Sequence, residues 1–422
     1  MTSIARPSGR TARRRVERSA PAVRRTSGRE GRLLHAADAP TTTRNGPFAW
    51  MFALVAILNL LGLLMVLSAS QVTSLYTYGS SWYQFERQFL WLLIGSVALV
   101  VSMRIDYHRW RRWVTPGLLI SGGLMVAVLV PGLGVNANGA SRWLGYGQFS
   151  IQPSELAKLA MILFAADLLA RRADKVHDWR ITLRPVMTVF LLFAVLLMLQ
   201  PNLGTAMILA AIVLTMLFVA GVDTKPLAVT VGMLGAAATA FAFLEPFRFR
   251  RLMAFRNPWA DPLNTGFQTI QSQVGLANGG LLGTGLGEGR AKWGFLPEAH
   301  TDFIFAIIGE ELGLLGALMV VALFVALGLL GVRTALRAPD RFGMLLATGV
   351  TAWILVQAFI NVGACVGVLP ITGVPLPLVS YGGSSLIPTL VALGMLMAFA
   401  KAEPDARRAL RRRSTAESLR RR

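Results

Sequence analysis

Five ionisable side chains stand in stretches that are otherwise apolar: Glu155 and Lys158 in "QPSELAKLA", Asp167 in "LFAADLLA", and the adjacent Glu310 and Glu311 in "IIGEELG". A charged group at membrane depth costs at least about 2.5 to 3.5 kcal/mol on insertion scales, so it is normally paired or lines a wet cavity. Glu155 and Lys158 are three residues apart, share one helix face and can pair. Glu310 and Glu311 would point about 100° apart on a helix, which gives them different surroundings: one a cavity, the other a neighbouring helix. Asp167, close to Arg171 and Arg172, is expected to snorkel to water. A sixth carboxylate, Asp261, lies in the polar, turn-rich "NPWADPLNTGFQTIQSQ". A carboxylate base with Arg and Lys partners suits transfer to a hydroxyl from a donor whose leaving group is already an anion, such as a pyrophosphate. The base takes the hydroxyl proton and the cations hold the departing phosphates. Ordinary glycoside hydrolysis needs a second carboxylate as proton donor, whereas a pyrophosphate leaving group does not. On local grounds alone, Asp before Pro is first of all a turn former.

The elements that must position these groups follow from composition. Of 422 residues, 54% are hydrophobic and 15% charged, with a mean hydropathy of +0.55, too apolar a balance for a soluble globular protein. Runs of about 17 to 25 apolar residues, enough to cross roughly 30 Å of hydrocarbon, lie near 47–69, 88–103, 114–133, 154–170, 184–200, 203–221, 226–244, 302–332, 342–365 and 384–401. The expected fold is an all-α polytopic membrane protein of ten transmembrane helices. The 302–332 stretch is long enough to tilt or protrude.

The net charge of +21 points to topology rather than to nucleic acid, because the basic residues collect in the tails and in alternate loops. The two tails and Lys401, with the loops near 104–112, 171–184, 222–225 and 333–341, hold 33 of the 42 Lys and Arg residues. Both termini are therefore expected in the cytoplasm. Residues 1–46, with 11 arginines, read as a disordered basic tail, 47–401 as the membrane domain, and 402–422 as a second basic tail. The first apolar run is long enough to span and is expected to be retained as a helix rather than cleaved as a signal peptide. The one cysteine, Cys365, reads as core packing.

This topology places a long loop, 245–301, on the outer face between the seventh and eighth helices. It carries Arg248, Arg250, Arg251 and Arg256, then Asp261, the glycine-rich "NGGLLGTGLGEG" and "LPEAHTDF", with Trp259, Phe267, Trp293 and Phe295 as interfacial anchors. Loops longer than about 15 residues are usually functional or disordered, and the anchors favour an ordered, partly re-entrant one. Three more outer segments are rich in polar and breaker residues: "NGASRWLGYGQFSIQPSE", "QPNLGTA" and "LPITGVPLPLVSYGGSS". Non-helical backbone near membrane depth is tolerated only where it is buried or lines a cavity, so together they imply one cavity opening outward. Of the four histidines, His35, His108 and His177 fall on the cytoplasmic side. Only His300 remains outside, which excludes a multi-histidine zinc site and leaves a Ser-His-Asp hydrolase at most one imidazole. On composition alone, a transporter accounts for these features equally well.

The blocks "SRWLGYGQFSIQPSELAKLA", "QPNLGTA", "NPWADPLNTGFQTIQSQ", "LPEAHTDFIFAIIGEELG" and "PLPLVSYGGSS" resemble, in order, the signature segments of the SEDS family (shape, elongation, division and sporulation), the ten-helix peptidoglycan polymerases. The resemblance runs from about Pro47 to Lys401, and the later blocks are more similar to the division branch than to the elongation branch; sporulation members are close to the former. It implies a peptidoglycan glycosyltransferase acting on lipid II, the undecaprenyl-pyrophosphate-linked disaccharide pentapeptide. The implied product is β-1,4 glycan, formed with inversion and release of undecaprenyl pyrophosphate, on the outer face of the bacterial cytoplasmic membrane at the septum. It further implies Asp261 as the essential acid and general base, with Glu155 and Lys158 lining the central cavity. The rest of the implied substrate-binding set is Arg142, Gln200, Asn202, Gln271, His300, Thr301, Asp302, Glu310, Ser380, Tyr381, Ser384 and Ser385. Implied partners are a class B penicillin-binding protein transpeptidase of the FtsI type, other division proteins and membrane lipid. No metal cage and no required cofactor can be read. A divalent cation, Mg2+ or Mn2+, shared by Asp261 and the pyrophosphate would be chemically reasonable, since such ions take few protein ligands plus substrate phosphate. The alternatives are a lipid II flippase, an elongation-type polymerase, and a scaffold without chemistry. A flippase needs gates on both sides, yet the conspicuous polar segments all face outward.

Overall fold

The computed structural model describes residues 46–420 apart from 138–139, 147–148, 245–248 and 250–252. The expected N-terminal tail therefore lies outside the described residues, as do Arg248, Arg250 and Arg251 of the long loop. A helix occupies each of the ten apolar stretches. These are α1 (Gly46–Tyr78), α2 (Tyr83–Arg104), α3 (Val114–Ala127), α4 (Pro153–Arg171), α5 (Leu183–Leu199), α6 (Leu203–Ala220) and α7 (Thr224–Leu244). An additional helix, α8 (Phe267–Asn278), forms inside the long connection, followed by α9 (Ile304–Leu336), α10 (Arg341–Cys365) and α11 (Gly383–Arg420). Six of them, α1, α2, α6, α9, α10 and the Gly383–Lys401 part of α11, are long and apolar enough to cross a membrane. α4 has the length but carries Glu155, Lys158 and Asp167. The chain is a mostly helical, multi-pass membrane protein.

The helix ends follow local chemistry. Pro153 opens α4 after the extended Gln152, where a missing N–H does no harm. The Asn202 side chain accepts from the Thr205 N–H to cap α6, and Asp340 does the same for α10 through the Gly343 N–H at 2.8 Å.

Two expectations need correcting. The fold is not all-α: a three-stranded antiparallel sheet, β1 (Gly134–Ala137), β2 (Ala140–Tyr146) and β3 (Phe149–Ile151), joins α3 to α4. Trp143 pairs with Val135 and Leu144 with Ile151. The Asn138-Gly139 dipeptide before an alternating run is the hairpin signal for this region. Asp167 does not snorkel either. It is buried, 2.6 Å from Arg111 Nε and 2.9 Å from Arg171 Nε, so a cation from the α2–α3 connection replaces water.

The 33-residue α9 breaks near its start at Gly313, whose φ of 71° and ψ of −169° leave the helix. The long connection fills the break. Leu314 N–H donates to the Gly280 carbonyl at 2.9 Å, and the Thr284 and Gly285 N–H groups donate to the carbonyls of Glu310 and Glu311. Backbone groups freed inside a membrane protein must find partners in the protein, and here the loop supplies them. A Cβ at position 313 would lie 2.3 Å from Gly283 N, so only glycine fits. α1 lies directly on the segment before α11: a Cβ at Gly62 would fall 2.6 Å from Val379 Cα. Cys365 is fully buried, in keeping with a packing role.

Candidate active site

The first turn of α4 brings Glu155 and Lys158 onto one face, and both are almost completely buried. Lys158 Nζ sits 2.9 Å from Glu155 Oε1, donates to Gln357 Oε1 at 2.8 Å, and lies 4.7 Å from the centre of the Trp353 ring. Trp353 Nε1 donates to the same Gln357 oxygen, and Gln357 Nε2 donates to the Pro375 carbonyl at 2.9 Å. One lysine thus joins α4, α10 and the segment leading into α11. Glu155 Oε2 and the neighbouring Ser154 hydroxyl are buried without a hydrogen-bond partner, which marks this end of α4 as polar and incompletely satisfied. Gln357 and Trp353 were not among the residues expected here. Their signal was a lone amide in the apolar "WILVQAF", since a buried amide needs a partner as surely as a charge does.

Two non-helical segments, 300–303 and 370–382, are knitted together beside this network. Asn361 Nδ2 donates to the carbonyls of Asp302 and Val374. Ser380 Oγ donates to the Thr301 carbonyl at 2.6 Å and accepts the Leu376 N–H, while Tyr381 N–H donates to the His300 carbonyl. Gln88 of α2 clamps the far side, donating to the Ser380 carbonyl and accepting the Gly382 N–H. The His300 ring meets Tyr381 edge-on at 5.5 Å; burial lowers its pKa, so the imidazole is neutral at pH 7. Thr301 Oγ1 donates to Glu298 Oε2, Ser385 Oγ donates to the Gly382 carbonyl, and Ser384 is half-buried at the start of α11.

The start of α6 seats on the same segments, for a Cβ at Gly204 would lie 2.8 Å from the Thr372 carbonyl oxygen. Just before it, Arg142 Nε on β2 donates to the Gln200 carbonyl at 3.1 Å, and Gln200 Nε2 donates to the Met125 carbonyl. Asn202 caps the helix. Most of the expected binding residues, with Arg142, Glu155, Lys158, Asn202, Ser380 and Tyr381 among them, therefore lie on chain segments in contact at one end of the bundle. Gln271 is half-buried on α8, which abuts the end of α10 through Ser272 Oγ and the Cys365 carbonyl.

Glu310 and Glu311 diverge as adjacent helical positions must, but both are taken up by the loop. Glu310 accepts the N–H groups of Arg290 and Ala291. Glu311 Oε1 is 3.0 Å from Lys292 Nζ, and both Glu311 oxygens accept from Ser68 of α1. Lys292 is 3% exposed, so this loop lysine is an internal strut between loop, α9 and α1. Its spacing in "GRAKWGF" gave no sign of that; only burial reveals it.

Asp261 stands apart, partly exposed in the turn after Asn257. Asn264 Nδ2 donates to its Oδ1 at 2.9 Å, and the Thr265 N–H and hydroxyl donate to its Oδ2 at 3.2 and 3.0 Å. These bonds, the Asn264 amide foremost, hold the carboxyl below the usual carboxylate range. It is an ionised acceptor at neutral pH. Among the described residues no three His, Cys, Asp or Glu side chains cluster to hold an ion. A divalent cation at Asp261 would thus have one carboxylate from the turn and would take its other ligands from substrate phosphate and water.

Fold and site together define a helical membrane protein with a buried ion pair, a hydrogen-bonded polar rim at one end of the bundle and a long folded loop. The chain belongs to the FtsW/RodA/SpoVE family: the family model described as "Cell cycle protein" matches residues 48–404. It is 44% identical over 343 residues to a probable peptidoglycan glycosyltransferase FtsW from Geobacter metallireducens, covering 81% of this chain and 91% of that one. It is 40% identical over 358 residues to the stage V sporulation protein E of Bacillus subtilis, covering 85% of this chain and 98% of that one. Among solved structures, a chain of a peptidoglycan synthase complex that coordinates polymerization and crosslinking matches with a TM-score of 0.69 at 28% identity, over 84% of this chain and 97% of its own. Thermus thermophilus RodA matches with a TM-score of 0.61 at 27% identity, over 84% of this chain and 96% of its own.

Proposed function

We propose that this chain is a peptidoglycan glycosyltransferase that polymerises lipid II into β-1,4 glycan strands for septal wall synthesis at cell division. The observation that carries the reading is the 44% identity, over nearly the full membrane domain, to a relative named for that activity. The acceptor sugar hydroxyl attacks the anomeric carbon of the donor, the new C–O bond forms with inversion, and the bond to the pyrophosphate breaks. Asp261 receives the hydroxyl proton, a role suited to a carboxylate that its own turn keeps ionised. The leaving group departs as undecaprenyl pyrophosphate and needs no proton donor. A bound Mg2+ or Mn2+ would supply charge neutralisation for those phosphates. The buried Glu155–Lys158 pair, and the rim from Arg142 to Ser385, shape the cavity in which donor and acceptor are held.

With ten spans and both termini in the cytoplasm, this cavity opens on the outer face, within reach of an FtsI-type transpeptidase. The likeness to a chain from a complex coordinating polymerization and crosslinking supports such a partner. Purified protein given lipid II and this partner should yield glycan ladders on a gel. Movement of labelled lipid between leaflets without polymer would instead establish a flippase. For topology, a cysteine at the exposed Thr284 should react with an impermeant thiol reagent from outside, and one at the exposed Pro339 should not. The opposite labelling would overturn the orientation and the outer site.

The turn around Asp261 makes a pH prediction. Asn264→Ala removes the largest influence lowering the Asp261 pKa, so the acid limb of the rate profile should move to higher pH while the rate at pH 7.5 changes little. An unmoved limb would mean that Asp261 is not the group titrating in the rate.

A further inference from the structure

The far end of α4, about 25 Å along the helix from Glu155, carries a second built feature. The α4–α5 connection borders an open cavity of about 450 Å³ lined by Arg171, Arg172, Asp174, Lys175, Arg180 and Ile181. Four cations face one carboxylate there. A second cavity of about 560 Å³ shares Arg172 and Arg180, adds Arg184, and continues between α4 and α5 along Phe164, Leu168, Pro185 and Val189. Phe164 and Leu168 are four apart and lead straight to Arg171 and Arg172, so the groove follows a single face of α4. Leu191, Leu192 and Val195 farther along α5 are exposed apolar side chains, as expected of a lipid-facing helix.

Cations at a helix C-terminus or in a cytoplasmic loop are ordinary, and scattered flexible ones would need no ligand. Here they are arranged. Arg172 Nη1 donates to the Ile181 carbonyl, which ties the start of the connection to its end. Arg180 lies over the ring of Trp179, 5.7 Å from its centre; Trp179 is itself exposed, and exposed aromatic residues are enriched at membrane interfaces. Arg171 is held by Asp167, a carboxylate it shares with Arg111. The charge offered to a ligand therefore comes from Arg172, Lys175, Arg180 and Arg184, against Asp174.

We propose that this is a binding site for an anionic glycerophospholipid of the inner leaflet, its phosphodiester in the cationic cavity and one acyl chain in the α4–α5 groove. A soluble anion would use the first cavity and leave the apolar groove unexplained. The continuity of the two selects a lipid, and basic pockets between helices at the cytoplasmic face suit such headgroups.

The test is native mass spectrometry of the delipidated full chain in detergent, titrated in turn with cardiolipin, phosphatidylglycerol and phosphatidylcholine. One tightly retained anionic lipid is expected, with phosphatidylcholine retained at least tenfold more weakly. Arg180→Gln should weaken retention about fivefold and Arg172→Gln with Arg180→Gln about 25-fold, at roughly a fivefold loss per cation. Glycerol 3-phosphate at millimolar concentration should not displace the lipid. Equal retention by wild type and the double variant, equal retention of phosphatidylcholine, or displacement by glycerol 3-phosphate would each overturn the proposal. If the double variant melts well below wild type, Arg180→Gln alone decides, since that exposed side chain stacks on Trp179 and makes no ion pair among the described residues.

Discussion

Asp261→Asn is expected to abolish measurable glycan synthesis while leaving the protein folded and bound to its partner. The turn tolerates the change because one amide oxygen can still accept the Thr265 N–H and hydroxyl that now reach Oδ2. With the amide nitrogen turned toward Asn264, that residue needs only to present its own side-chain oxygen. What is lost is the proton-accepting carboxylate, and removing a general base typically lowers the rate by about 10² to 10⁴. Asp261→Glu should recover part of the activity, with the base one methylene out of place. The measurement is ladder formation from lipid II, with thermal melting and transpeptidase co-purification as controls. If the Asp261→Asn variant polymerises near the wild-type rate, Asp261 is reduced to a turn former, the role its local bonds fulfil in this conformation. Those bonds also mean that engaging a sugar hydroxyl requires Asp261 to share or release Asn264 and Thr265. On the proposed role, the base is therefore tied to the shape of its turn.

The parts of this site legible in the sequence are those encoded over short separations. Glu155 and Lys158 announce a pair by standing three apart on one helix face, and they are 2.9 Å apart. The helices announce themselves by apolar run length, and each run became one. The long-range partners were not legible. Gln357 is 199 positions from Lys158 and Ser68 is 243 from Glu311, so no spacing rule connects them; only the tertiary packing does. The sheet before α4 was passed over for a different reason. Its strands of four, seven and three residues are too short to give a strong alternation against the apolar background of a membrane protein. Lys292 shows the same limit from the side of charge. A lysine in a long outer loop reads as solvated, yet the break at Gly313 draws the loop inward and buries it against Glu311.

Lys158→Met should lower both stability and activity, and the two losses can be separated. Methionine matches the lysine stem in length and packs against Trp353, so the lost volume is small. What changes is electrostatic: the Glu155 carboxyl, which already has one unpartnered buried oxygen, loses its ion-pair partner. Breaking a buried pair by removing one member costs about 3 to 5 kcal/mol, whereas replacing both members is often close to neutral. Lys158→Met alone should therefore melt well below wild type in detergent, and Lys158→Met with Glu155→Gln should regain most of that stability. Polymerisation distinguishes the roles. If the pair only fastens α4 to α10, the double variant should recover activity together with stability; if the pair shapes a charged cavity for lipid II, activity stays low in the restabilised double variant. The family resemblance and the link from Lys158 through Gln357 to the Pro375 carbonyl favour the second outcome. A double variant as stable and as active as wild type would show the buried charges to be a staple that neutral side chains replace, and would move the substrate site away from α4.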